Sequence, residues 1–404
     1  AGQCELLGEL SLAGALRPVH AVLPAALAAK TRGRALLLPL DNVAEAALVQ
    51  ALAVLPARHL LDVTAHLQGS TFITPLEKSQ PSAGSPRGGD LAEVHGQAQA
   101  RRALEIAAAG RLNLLMMGPP GSGKSMLASR LSGILPPLSE AEALETAAVH
   151  SVAGLGFDVA AWCQRPFRNP HHTASGAALV GGGANPLPGE ISLAHNGVLF
   201  LDELAEFPSN VLDGLREPLE TRQVLISRAA RRAIYPADFQ LVGAMNPCKC
   251  GFALDPQRAC ASCSPVNTER YQRRLSGPLR DRIDLQIEVP AMDHTTLVTG
   301  LRSPAEPSST VAERVASAWQ RQRDRQGTVN ARLDQAGLSA HCRLPPKGEV
   351  LLETASKQLH LSARAFHRVL RVARTIADLE GADQIAIDHL AEAISLRRLA
   401  VSRV

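Results

Sequence analysis

Residues 112–125 read LNLLMMGPPGSGKS, and the rest of the chain is interpreted outward from them. An apolar run, Leu112–Met117, is followed by a glycine-rich loop and then by a helical pattern, Ser125–Leu135. A strand that passes through such a loop into a helix is the setting a phosphate-binding loop requires. Gly118, Gly121 and Gly123 free the backbone to turn its N–H groups toward an anion, and the helix N-terminus adds a favourable dipole. Lys124 is placed to reach the β and γ phosphates of ATP, and Ser125 to hold Mg²⁺. The expected nucleotide loop is therefore Gly118, Pro119, Pro120, Gly121, Ser122, Gly123, Lys124 and Ser125. A glycine-rich turn with no ligand is the alternative, and the flanking strand and helix weigh against it.

Two more apolar runs end in polar side chains. Val198–Glu203, VLFLDE, places Asp202 and Glu203 at the C-terminal end of a strand, where open α/β sheets bind ligands. Asp202 suits a Mg²⁺ held through water, and Glu203 suits the base that orients and deprotonates the attacking water. A third strand, Phe239–Ala244, leads to Asn246, which is expected between the two motif strands as a sensor of the γ-phosphate. Just beyond it, Cys248, Cys250, Cys260 and Cys263 give C-x-C-G followed by C-x-x-C. Four thiolates suit tetrahedral Zn²⁺, and loop cysteines without metal are the alternative. His171 and His172 are adjacent and are expected to serve loop packing.

The chain has 404 residues, too many for one ordinary core. Its 46% hydrophobic and 20% charged residues are globular values. No apolar run approaches the ~18 residues of a membrane span, and no signal peptide is visible at the start. Seven cysteines with no secretion signal read as cytoplasmic thiols or a metal site. The net charge of +4 requires any nucleic-acid surface to be a local patch.

Residues 1–76 alternate strand and helix patterns: Glu9–Leu12 strand, Val22–Lys30 helix, Ala35–Pro39 strand, Val43–Leu55 helix, Leu60–Val63 strand. Residues 77–90, EKSQPSAGSPRGGD, are expected to be a linker. Residues 91–307 carry the motifs. Residues 308–404 read as helices over Ser309–Gln326, Lys347–Leu359, Ser362–Leu379 and Ile387–Arg398, with Ser362 and Asp388 as caps.

Several long strings resemble the ComM/YifB family, the magnesium-chelatase-like AAA+ ATPases of bacteria. They are residues 167–207, FRNPHHTASGAALVGGGANPLPGEISLAHNGVLFLDELAEF, then AMNPCKCG (244–251), RYQRRLSGPLRDRID (270–284) and LSARAFHRVLRVARTIADLEG (361–381). The resemblance implies an α/β P-loop AAA+ module, a parallel sheet sandwiched by helices, with a C-terminal helical lid and a Lon-like α/β N-terminal domain. Residues 1–76 resemble the second half of that domain, so a preceding part is expected to be missing. The stretch GELSLAGALRPVHAVLPAALAA (8–29) resembles the Lon segment that carries a catalytic lysine, but the lysine position falls at or beside Leu23. Proteolysis is therefore not expected.

The resemblance also implies a ring, expected to be a hexamer, in which Arg282 is an arginine finger for the neighbouring subunit. Arg280, two residues earlier, leaves open which arginine reaches the nucleotide. The resemblance further implies that Arg364 in the lid closes on the γ-phosphate of its own subunit. The stretch Thr221–Tyr235 reads as a hairpin with Arg228, Arg231 and Arg232 near its tip. Related ATPases place such a hairpin in a central channel, where basic residues track DNA phosphates without reading sequence. Aromatic residues are only 3% of the chain, so base stacking is not the main binding mode expected. The activity implied is ATP-dependent branch migration of DNA in natural transformation and recombination, with a chelatase motor subunit or a nucleotide-switched scaffold as alternatives.

Overall fold

The computed structural model describes residues 3–77, 88–156, 158, 161–183, 185–227, 231–253, 260, 263–291 and 305–397. Arg228 and most of the expected linker, 78–87, lie outside the described residues.

The N-terminal unit is α/β. Strand β1 (Cys4–Leu6) leads into a short hairpin, β2 (Glu9–Leu10) with β3 (Leu16–Arg17). Helix α1 (Val22–Thr31), β4 (Ala35–Pro39), α2 (Val43–Ala46), β5 (Val54–Ala57) and α3 (Leu60–Gln68) follow. Its three parallel strands run in the order β1-β4-β5. Two expectations are overturned here. The helix expected over Val43–Leu55 stops after one turn, and its last residues form β5. Val54 and Leu55 are buried whichever way that segment folds, so apolar content alone did not identify the strand. The strand expected over Leu60–Val63 is the first turn of α3. His59 and Asp62 cap it reciprocally, with Leu61 N–H donating to His59 Nδ1 (3.1 Å) and His59 N–H to Asp62 Oδ2 (3.0 Å).

The central module begins with α4 (Ala98–Gly110), β6 (Leu114–Met117), α5 (Lys124–Ile134), α6 (Glu140–Val152) and β7 (Phe167–Arg168). Next come α7 (Gly176–Val180), β8 (Gly181–Gly182), β9 (Leu187–Pro188), α8 (Glu190–Leu193) and β10 (Val198–Leu201). It continues through α9 (Ser209–Asp213), α10 (Pro218–Thr221), the hairpin strands β11 (Gln223–Ser227) and β12 (Arg232–Pro236), and β13 (Gln240–Met245). It closes with α11 (Pro265–Gln272), α12 (Gly277–Arg280) and β14 (Leu285–Glu288).

Five strands form a parallel sheet in the order β14-β6-β13-β10-β7. Every residue of β6, β10 and β13 is buried, as expected of strands covered on both faces. Strand β13 lies between β6 and β10, so the three motif strands end side by side.

The C-terminal region is helical over Ser308–Gln326, Gln335–His341, Pro346–Gln358, Ala363–Leu379 and Ile387–Ser395. Ser362 caps its helix, accepting from Ala365 N–H at 3.2 Å. Asp388 is not a cap. It sits in the first turn of its helix, and the Ala386 N–H meets His389 Nδ1 at 3.0 Å. The helix Ser308–Gln326 packs into the same apolar cluster as α4 and α5 through Val311, Val315, Ala318 and Trp319. Trp319 Nε1–H donates to Ala108 O (2.9 Å), and Gln322 Nε2–H to Ala109 O (3.0 Å). The N-terminal unit reaches the module through α6 and the loop before it, where Ala143 and Leu138 join the cluster of Val22, Leu23 and Ala26. Leu23, where the Lon resemblance would need a lysine, is completely buried.

Candidate functional site

The C-terminal edge of the sheet gathers the nucleotide motifs. Strand β6 delivers the chain into Gly118, whose N–H donates to Met245 O at the end of β13 (3.2 Å). A Cβ at Gly118 would lie 2.1 Å from Val289 O, so no side chain fits there. Gly121 (φ 76°) and Gly123 (φ 83°) hold left-handed conformations that favour glycine. Gln97, just before α4, ties the loop from behind through Nε2–H to Ser122 O (2.5 Å).

Lys124 opens α5 with its ammonium folded into the loop. Nζ donates to Gly118 O and Pro119 O (2.8 Å each) and lies 3.4 Å from Asn246 Oδ1. Burial lowers its pKa, and the nearby Asp202 carboxylate works in the opposite direction. Ser125 Oγ–H donates to Asp202 Oδ2 at 2.6 Å, which pairs two hard oxygen donors suited to Mg²⁺.

Glu203, one residue on, has φ 49°. This conformation costs a non-glycine residue about 1–3 kcal/mol and is most often found at functional sites. Its carboxylate meets His172, Nδ1 to Oε2, at 3.0 Å. His172 stacks on His171 with ring centroids 4.1 Å apart, and His171 Nδ1 contacts Thr173 Oγ1 at 2.9 Å. Loop packing therefore describes His171, whereas His172 reaches the acidic motif. The adjacent histidines carried no spacing signal that would have revealed this.

The two arginines lie elsewhere. Arg282 O accepts from Asn113 Nδ2–H (3.1 Å), and Asn113 immediately precedes β6. Arg282 thus sits at the N-terminal edge of the sheet, separated from its own phosphate loop by roughly 13 Å of strand. Its side chain is buried, donating through Nη2 to Glu220 Oε1 (2.7 Å) and through Nη1 to Pro278 O (2.6 Å). Arg280 is exposed. Arg364 Nη2 lies 3.4 Å from the same Glu220 oxygen. In this structure Arg364 therefore does not stand at the phosphate loop of its own chain, where it was expected. The helix Ala363–Leu379 carries Arg364 to the far edge of the sheet, beside Arg282.

A cavity of ≈ 280 Å³ opens there, lined by Arg111, Glu220, Arg222, Asp238, Arg332 and Arg364 among others. Arg111 and Arg332 both pair with Asp238. Burial alone would raise the Asp238 pKa, but Arg111, Arg332 and Arg222 outweigh it and hold the carboxyl below its ordinary value.

Strands β11 and β12 form the expected hairpin, with Leu225 opposite Ile234. Arg231 and Arg232 are exposed near its tip. Arg231 Nη1–H also donates to Asn185 Oδ1 (2.7 Å), and Tyr235 O–H donates to Pro186 O (2.8 Å). These bonds lay the β8–β9 loop along the hairpin. The four cysteines Cys248, Cys250, Cys260 and Cys263 converge, with all Sγ atoms within 4.8 Å of one another. Adjacent pairs stand 3.1 to 3.6 Å apart. At Zn–S of about 2.3 Å a tetrahedral thiolate cage has edges of about 3.8 Å, so the donor set fits such an ion after slight expansion. The cluster adjoins the nucleotide loop, because a Cβ at Gly251 would lie 2.4 Å from Pro120 Cδ.

A parallel sheet with the phosphate loop, the acidic strand and the polar strand on one edge defines a P-loop nucleoside-triphosphatase class. Residues 90–297 match the family described as "Magnesium chelatase, subunit ChlI", and residues 305–397 match its C-terminal counterpart. The chain is 48% identical over 396 residues to YifB of Salmonella typhimurium, covering 98% of this chain and 77% of that protein. It is also 48% identical over 403 residues to "Competence protein ComM" of Haemophilus influenzae, covering 98% and 78%. A "Magnesium-chelatase 67 kDa subunit" of Chlorobaculum parvum is 28% identical over 159 residues, 38% of this chain and 23% of that protein. The chain belongs to the ComM/YifB family of magnesium-chelatase-like AAA+ ATPases. Among the described residues, no helix is long and apolar enough to cross a membrane.

Proposed function

We propose that the chain is a ring-forming motor that hydrolyses Mg·ATP and moves on DNA, with branch migration as its task. The observation that carries this reading is the division of the site between two edges. Lys124, Ser125, Asp202, Glu203 and Asn246 gather at one end of the sheet, and Arg282 and Arg364 at the other. A complete catalytic set then requires the far edge of one subunit to meet the phosphate loop of the next, as in a heterologous ring.

In this reading Gly118–Ser125 cradle the phosphates, and Ser125 and Asp202 hold Mg²⁺. Glu203 accepts the proton of the attacking water, which Asn246 helps to place. Arg282 and Arg364 of the neighbouring subunit meet the charge that develops on the transferred phosphoryl group. The exposed Arg231 and Arg232, together with Arg228, supply phosphate contacts to DNA. Cys248, Cys250, Cys260 and Cys263 hold a structural Zn²⁺.

The DNA track rests on the basic hairpin and on likeness to a protein named for competence. A chelatase-type motor is the second reading, favoured by the family match over residues 90–297. ATP turnover measured without DNA, with single-stranded DNA and with branched DNA separates the two. Stimulation by DNA is expected, and turnover indifferent to DNA would favour the chelatase motor or a nucleotide-switched scaffold.

A further inference from the structure

Among the described residues, Glu220 is the one carboxylate that touches both arginines at the far edge of the sheet. Its Oε1 takes Arg282 Nη2–H at 2.7 Å and stands 3.4 Å from Arg364 Nη2. The two arginines come from different parts of the chain, one from the turn before β14 and one from the C-terminal helical region. A single oxygen facing two guanidinium groups reproduces what a terminal phosphate oxygen would offer them. Of the Arg282 polar atoms, Nη1 is spent on Pro278 O, and Nε is buried with no partner among the described residues. Glu220 is therefore the anion that compensates a buried charge, while its own side chain remains 44% accessible.

We propose that Glu220 is a latch that stands in for the γ-phosphate of the neighbouring subunit's ATP. In the lone subunit it holds Arg282 inward and steadies Arg364. When a neighbour presents its nucleotide, the phosphate, carrying more charge and three acceptor oxygens, takes both arginines, and Glu220 swings into solvent. The proposal rests on the reading that these arginines act across a subunit interface.

The location of the latch gives it a second consequence. Glu220 lies in α10, a single turn that ends at Arg222 (φ 59°) and passes directly into β11. Thr221 Oγ1–H donates to Glu217 O (3.0 Å) and lies 3.1 Å from Gln223 O, joining that turn to the base of the hairpin. Displacing Glu220 therefore moves the root of the element that carries Arg231 and Arg232. The occupancy of one subunit's nucleotide site is passed to the basic hairpin of the next.

The test compares wild type, Glu220→Gln, Glu220→Asp, Arg282→Ala, Arg364→Ala and the double variant Glu220→Gln with Arg282→Ala. Sedimentation velocity is run over a range of protein concentrations with a non-hydrolysable ATP analogue, alongside ATP turnover and its KM. Circular dichroism of each variant checks that it is folded. Loss of the competing anion is expected to lower the concentration for half-assembly several-fold in Glu220→Gln and to lower KM, with no such gain in the double variant. Glu220→Asp, which keeps the charge but shortens the reach, should fall between Gln and wild type. An unchanged or raised assembly concentration in folded Glu220→Gln overturns the latch. If Arg282→Ala and Arg364→Ala both retain wild-type turnover and assembly, the interface reading itself has failed, and the latch fails with it.

Discussion

Lys124 and Glu203 share one site, but their loss should be felt at different stages. The Lys124 ammonium is buried against the loop carbonyls, where it is placed to meet phosphate oxygens. Lys124→Ala removes a charge-assisted hydrogen bond, and nucleotide affinity should fall by about 1.5–3 kcal/mol or more. Glu203→Gln leaves the loop intact and removes the proposed base. ATP should still bind within a few-fold of wild type, while turnover drops by roughly 10²–10⁴. Fluorescent-nucleotide titration and phosphate release measure the two separately, and near-normal turnover in Glu203→Gln would mean the base is another residue. At this scale the sequence is most legible where chemistry ties groups to spacing, and the structure does set Lys124, Ser125 and Asp202 side by side. It did not reveal His172 against Glu203, nor Glu220 beneath Arg282, because both are contacts between loops distant in sequence. Nor did it show that Arg364 sits apart from its own phosphate loop, which depends on how the C-terminal helices dock.

Strands and helices were readable where burial has one period over enough residues. The runs that became β6, β10 and β13 are apolar on both faces, and the long C-terminal helices show clear stripes with Ser362 at a cap. Short segments near Val43 and Leu60 are ambiguous in sequence because three apolar residues broken by one acid fit either period, and at Leu60 it is the His59–Asp62 cap that marks a helix. Two elements carry predictions. Changing Arg228, Arg231 and Arg232 together to alanine should weaken DNA binding about equally across sequences. The salt dependence should become shallower by roughly one log–log unit for each DNA phosphate no longer gripped. ATP binding should persist, because the hairpin leaves the phosphate loop untouched. An unchanged salt slope would place the DNA path elsewhere. The cysteine loop should carry about one Zn²⁺ per chain by elemental analysis, and Cys260→Ser with Cys263→Ser should lose it. Gly251 packs on Pro120, so the metal-free variant should also bind ATP more weakly. A metal-free wild type of full stability would contradict the zinc assignment.

The proposed ring is tested on the whole molecule, because in that reading its two edges are complementary halves of one site. A homogeneous ring of Arg282→Ala has intact phosphate loops and no fingers, and one of Lys124→Ala has fingers and no working loops. Each alone should turn over poorly. In a one-to-one mixture about a quarter of the interfaces join an intact loop to an intact finger, if subunits are placed at random in a heterologous ring. Turnover should therefore rise on mixing, once exchange is shown by fluorescence transfer between labelled subunits. Arg364 sharpens the same experiment. It shares Glu220 with Arg282 at the far edge, so Arg364→Ala mixed with Lys124→Ala should be rescued in the same way. If Arg364 served its own phosphate loop, every intact loop in that mixture would lack its arginine and no rescue would follow. Rescue of the Arg282 mixture without rescue of the Arg364 mixture would move Arg364 back to its own subunit. Failure of both, with exchange demonstrated, would mean that each chain completes its site alone.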